Sequence, residues 1–170
     1  MLGFLRIAVI AGAVLLAAVG AGRAQVIERP ADRILAYVLG GATLAMSPAE
    51  ARMAAEANGY EFVEVVGLSN DPRGWEYRKG RASLTISRAG EKLHSIAFIE
   101  IARGGPPIDH KAEVAKIREF FDIPENAPAC RATDVGGFCQ INDGAEPKLF
   151  VTLQANRAFL NINLRRSIVD

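Results

Sequence analysis

From Tyr60 onward the apolar residues stop recurring at helical spacing and begin to alternate. That change of period constrains the fold more than any other feature of the chain. EFVEVVGL (61–68), WEYRK (75–79), ASLTISR (82–88) and KLHSIAFIEIA (92–102) each read as a strand. In the third, Leu84 and Ile86 fall on one side and Ser83, Thr85 and Ser87 on the other. Turn chemistry separates the runs at NDPRG (70–74), Gly80–Arg81 and Ala89–Gly90. Connections this short join neighbouring strands antiparallel, so the segment is expected to form a four-stranded meander.

Helical patterns precede and follow it. In PADRILAYVL (30–39), Ile34, Leu35 and Val38 share one face of a short helix that Gly40–Gly41 is expected to end. Ser47, Pro48 and Glu50 have the spacing of a capping box with proline at the first helical position. They predict a helix over 48–57, stopped by Asn58–Gly59, with Ala51, Ala54, Ala55 and Met53 facing inward. RGGPP (103–107) breaks the chain. Asp109 then caps a helix over 110–121 with Val114, Ile117, Phe120 and Phe121 as its apolar stripe. FCQI (138–141), KLFVTLQ (148–154) and RAFLNINLRRSI (157–168) return to strand patterning. The expected class is α+β, with helices on one face of antiparallel meanders in a tandem helix-then-strands repeat. The units would be 25–104 and 105–170, either separate or as one continuous domain.

Residues 1–24 have the layout of a secretory signal peptide. Arg6 gives a positive start, Ile7 to Gly22 carry no charge, and small residues lead to Ala24. The uncharged run is shorter than the roughly 20 residues of a spanning helix. The mature chain is therefore expected to be periplasmic or secreted and not membrane-spanning, with a retained anchor as the other reading. Cys130 and Cys139 fit an oxidising compartment and read as a structural disulfide, closed by a reversal at Gly136–Gly137. A free pair is the alternative, and the spacing is wrong for a CxxC-like redox pair.

Composition removes several functions. At 50% apolar and 23% charged, the chain is not of the disordered class. A formal net charge of +1 lacks the basic surplus of a nucleic-acid binder. Two Cys and two His make neither a zinc ribbon nor a three-His site, so no metal and no cofactor are expected. Ser47 lacks a GxSxG setting and reads as a cap. Asp109–His110 reads as a cap followed by a first-turn residue, and His94 and His110 as partly exposed. The Gly104–Pro107 run has no following Lys-Ser/Thr for a phosphate loop. Glu61, Glu64, Glu76, Glu91 and Glu100 are spread singly along the strands, as on a solvated sheet face; a glycosidase-type pair among them is the minor alternative. No catalytic residue is assigned, and the chain is expected not to be an enzyme.

One constellation points to recognition. Arg73, Trp75, Tyr77 and Arg78, with Arg81 beside them, cluster around one hairpin, and Trp, Tyr and Arg are the residues enriched at interface hot spots. Two readings stand: a partner-binding face, or a core position for Trp75 and Tyr77 beneath a helix.

The stretch GATLAMSPAEARMAAEANGY (41–60) resembles the signature of the SmpA/OmlA-like and beta-lactamase-inhibitor-like proteins. Leu44, Met46, Ser47, Glu50 and Gly59 match it, and Ala45 stands where the family has glycine. The resemblance implies tandem helix–helix–strands repeats that bind partner proteins on a sheet face. It implies an exported, non-enzymatic, inhibitor-like binding module whose partner is an envelope or secreted protein. SmpA-type members are lipid-anchored; here no Cys follows the apolar run to carry a lipid. PepSY domains, which place a helix before a meander in exported proteins, are similar in element order. A small-ligand or lipid carrier, its pocket lined by strands 92–102 and 148–154, is the alternative function.

Overall fold

The computed structural model describes residues 26–68, 71–144 and 149–167; residues 1–24, read above as a signal peptide, lie outside them. In chain order the elements are β1 (Ile27–Glu28), α1 (Ala31–Leu35), α2 (Pro48–Ala57), β2 (Glu61–Leu68), β3 (Asp71–Lys79), β4 (Ala82–Ala89) and β5 (Lys92–Ile101). Then follow α3 (His110–Phe121), β6 (Cys130–Ala132), β7 (Gly137–Asn142), β8 (Leu149–Ala155) and β9 (Phe159–Arg166). All nine strands belong to one sheet, ordered β1-β7-β8-β9-β5-β4-β3-β2, with β6 also on β7. β5 pairs antiparallel with β9, so strands from both sides of the 103–107 break lie in the same sheet. The expected meander is β2 to β5. Helices and a mainly antiparallel sheet place the chain in the α+β class.

The core lies between one sheet face and the three helices. Alternation delivers it: Leu84 and Ile86 from β4, Val151 and Leu153 from β8, and Ile162 and Leu164 from β9 are buried. Against them pack Ala51 and Ala55 of α2 and Val114, Ile117 and Phe121 of α3. Gly137 permits the close approach of α3 to β7, since a Cβ there would stand 2.5 Å from Val114 Cγ2. Both longer helices start as the sequence dictates. Ser47 and Glu50 form the reciprocal capping box, and the Asp109 carboxylate accepts from the Ala112 amide at 3.1 Å.

Several local expectations are corrected. Helix α1 ends at Leu35, not Leu39. Its last turn tightens as the Tyr37 amide bonds the Ile34 carbonyl at 3.2 Å, and the Tyr37 ring packs on Phe120 and Phe121. Val38 is consequently exposed. Gly40 and Gly41 both take positive φ, and Leu39 and Ala42 exchange two backbone hydrogen bonds across them. This is a two-residue reversal of the hairpin kind, not a helix C-cap. Met53 points to solvent, whereas Ala51 and Ala55 point inward. β3 begins at Asp71, so most of the expected 70–74 turn is strand. The two-residue β1, pairing parallel with β7, has no sequence signal of its own.

Candidate functional site: the open sheet face

All three helices lie on one side of the sheet, and no described residue covers the other. The strand register aligns the uncovered side chains into three cross-strand rows. The first runs Asn142, Phe150, Arg165, Ser95, Ser87 to Gly74 and Val66. The second runs Gln140, Thr152, Asn163, Ala97, Thr85 to Glu76 and Glu64. The third runs Phe138, Gln154, Asn161, Ile99, Ser83 to Arg78 and Glu61. On β7, β8 and β9 the face is rich in amides and hydroxyls, with Phe138 and Phe150 among them. On β5 and β4 it is floored by small side chains, and on β3 and β2 it is charged.

The Arg165 guanidinium lies 5.0 Å from the Phe150 ring centroid, a cation–π contact that orients its donors. Gln140, Phe150, Thr152, Asn163 and Arg165 line a hollow of about 210 Å³. At its floor, Asn163 Oδ1 is buried and has no hydrogen-bond partner among the described residues. An unpaired buried amide oxygen is costly, so it takes a donor from water or from a bound group.

The sequence-selected residues divide between the two faces. Trp75 and Tyr77 are in the core beneath α2, with Tyr77 fully buried. Arg52 of α2 covers both: its guanidinium stands 4.8 Å from the Trp75 ring centroid, and its Nε donates to the Tyr77 hydroxyl at 3.0 Å. The aromatic pair is therefore not on a binding surface, because α2 occupies the side of β3 to which both rings point. Arg73 is exposed on the other side, and so is Arg78, which bonds Glu76 at 3.2 Å within the open face. Arg81 pairs with Glu100 at 2.6 Å. His94 also reaches the open face. Its imidazole is held below the ordinary histidine value by burial and by the Arg165 charge, against a hydrogen bond to the Arg166 carbonyl.

Cys130 and Cys139 face each other across β6 and β7 and form a disulfide. The reversal that joins them is Thr133–Gly136, where the Thr133 hydroxyl accepts from the Val135 and Gly136 amides. Gly137 is already in β7. His110, expected to be partly exposed, is buried. Its Nε2 lies 2.9 Å from the Thr133 carbonyl and must donate to it, which ties α3 to the disulfide loop.

The apolar side chains expected to line a carrier pocket, among them Leu93, Ile96, Val151 and Leu153, are buried in the core cluster. Among the described residues, no helix is long and apolar enough to cross a membrane, and no group of three or more His, Cys, Asp or Glu side chains is placed to hold a metal ion. No family model, curated protein or solved structure matches the chain.

Proposed function

We propose that this chain is an exported, non-enzymatic protein-binding module of the inhibitor-like kind, and that it docks an envelope or secreted protein on its open sheet face. The observation that carries the reading is the set of three aligned rows spanning β7 to β2 on a sheet whose helices all lie on the other side. Seven strands about 4.8 Å apart and three rows about 6.7 Å apart make a platform of roughly 600 Å², close to the ~800 Å² each partner buries in a standard complex. Its aromatics, arginines and neutral amides are interface chemistry, and its rigid strands hold them without an ordering cost at association. The disulfide agrees with an oxidising compartment, and the layout of residues 1–24 with export into it. In this reading the two helix-then-strands units are fused through the β5–β9 pairing, and the signature at 41–60 resembles that of modules that bind proteins on a sheet.

The test is capture from the host's envelope fraction by the 25–170 chain and by Thr152→Arg and Ala97→Arg variants. These place bulk and charge in the middle of the open face. A protein captured by the parent chain and lost with either variant, at unchanged melting temperature, is the expected result. Equal capture by parent and variants would contradict it.

A further inference from the structure

We infer that the open face takes an amphipathic helix of its partner, apolar along one stripe and acidic along its flanks; this rests on the face being a protein-docking surface. The apolar part of the face is a band along the third row and the edge beyond it. Phe159 of β9 stands directly across from Ile101 of β5, and Asn161 across from Ile99. Ile99 and Ile101 are 38% and 40% exposed. Phe138 and Phe159 line a hollow of about 390 Å³ together with Val135, which at 84% is the most exposed large apolar side chain among the described residues. Ile99 and Ile101 line the next hollow, of about 340 Å³. Because Phe159 and Ile101 are opposed, the two hollows run on into one groove. Val135 is held in place: its amide bonds the Thr133 hydroxyl, and the Cys130–Cys139 disulfide closes its loop. Such anchors are presented without an ordering cost at association.

Two observations select the occupant. The first is backbone pairing. β8 is bonded to β7 and β9, β9 to β8 and β5, and β5 to β9 and β4. The groove floor therefore offers an added strand no free backbone ladder, and the occupant has to satisfy its own backbone. A helix does so and lays the residues of one face into a groove. The second is charge. Arg131 stands across from Phe138 and lines the first hollow, and Arg103 lines the second. Among the described residues neither makes an ion pair. No carboxylate lines the first hollow; in the second, Glu76 is bonded by Arg78 at 3.2 Å. Asp134, the one carboxylate of the 133–136 loop, is bonded by Lys111 at 2.8 Å. The groove is thus apolar with a spare guanidinium at each end, which matches apolar side chains flanked by Asp or Glu. From Arg131 on β6 to Ile101 on β5 there are four strand spacings, about 19 Å, the length of a helix of about 13 residues. The opposite edge of the face gives no such match. Arg73 and His94 are each inserted there by a one-residue bulge in the register, and Arg73 already has a partner.

The test uses the 25–170 chain and a fluorescein-labelled peptide of three Leu-Glu-Glu-Leu repeats, capped at both ends and read by anisotropy. Saturable binding is expected. A peptide with Lys in place of every Glu, and one with proline at its centre, should each bind at least tenfold more weakly. On the chain, Phe159→Ser with Ile99→Thr should cost at least tenfold, and so should Arg103→Gln with Arg131→Gln. Val135→Asp should weaken binding as well, at a position too exposed to disturb folding. Glu61→Gln, at the far end of the third row, should leave it unchanged. Thermal melts confirm that each variant is folded. No binding, or binding indifferent to the chain variants or to the proline, would overturn the site. Sedimentation with phosphatidylglycerol vesicles by a chain that ignores the peptide would overturn it in favour of a membrane. A concentration-dependent dimer of the free chain that excludes the peptide would overturn it in favour of a second copy. If the peptide fails while envelope capture stays sensitive to Thr152→Arg, the helix assignment falls and the docking face stands. If the peptide binds as expected while capture ignores Thr152→Arg, the groove stands and the wider docking face falls.

Discussion

Arg29 Nε donates to the Phe121 carbonyl at 2.6 Å, joining the start of the described chain to the last turn of α3, 92 positions downstream. Arg33 adds a second tie: its Nε bonds the Phe120 carbonyl at 2.9 Å and its Nη1 the Asp122 carboxylate at 2.6 Å. A helix end leaves four carbonyls without intrahelical partners, and its dipole favours cations there. The two guanidiniums meet both needs. Asp122, the C-cap, sits in the left-handed region at φ 49°. Arg29→Ala should therefore destabilise the protein by about 1–2 kcal/mol, since charge-assisted bonds to part-buried carbonyls are lost. Differential scanning calorimetry checks it: a drop of several degrees is expected, only partly recovered in Arg29→Lys, which lacks the planar fork. An unchanged Tm would remove α3 capping from the account.

The capping box gives a pH dependence with a definite sign. The Ser47 amide and hydroxyl both favour the charged Glu50 carboxylate and lower its pKa from 4.5. A carboxylate with a depressed folded-state value contributes stability above its unfolded value and loses it as pH falls through the folded one. Parent and Glu50→Ala chains should therefore differ in stability above about pH 4.5, and the difference should vanish on acidification below it. Urea titrations at pH 7 and pH 3 measure both ends. Ser47→Ala, which removes the cap itself, should cost about 1 kcal/mol at pH 7.

Trp75 and Tyr77 should behave as core residues. Trp75→Ala empties a site beneath α2 and should cost about 3–5 kcal/mol. Tyr77→Phe keeps the ring and leaves Arg52 Nε without its acceptor, for about 1 kcal/mol. Chemical denaturation separates the two. A folded Trp75→Ala chain with unaltered stability would return this pair to the surface.

His94 sets an acid-side effect of its own. Burial and the Arg165 charge depress its protonation in the folded state. The unfolded chain then binds the proton more readily, so stability should decline as pH falls through the ordinary value of 6.5. His94→Gln should flatten the profile between about pH 7 and 5, in melts run against the parent. Parallel profiles would contradict the assignment.

What the sequence makes legible follows from range. Ser47–Glu50 and Asp109 are read correctly because a cap is decided within four residues. Leu84 and Ile86 are read correctly because alternation is local. The Cys130–Cys139 bond is close in sequence and needs only one reversal. Gly40–Gly41 is misread because the same dipeptide serves a helix end or a two-residue turn, and the distant packing of Tyr37 on Phe120 and Phe121 accompanies the second. Trp75 and Tyr77 show the limit most clearly. Alternation tells which residues share a face; only the placement of α2, with Arg52 over the Trp75 ring and bonded to the Tyr77 hydroxyl, tells which face is covered. Arg73 and His94 could not be put on the open face from sequence, because a bulge exists only in the register between two strands.

We propose that the uncovered side of the sheet takes a protein partner, and a single comparison decides the matter. The 25–170 chain and its Thr152→Arg variant are each used to capture protein from the host's envelope fraction, after melts show equal stability. One dominant protein held by the parent chain and absent with the variant is the expected outcome. The same protein held equally by both, or none held by the folded parent, would contradict the account.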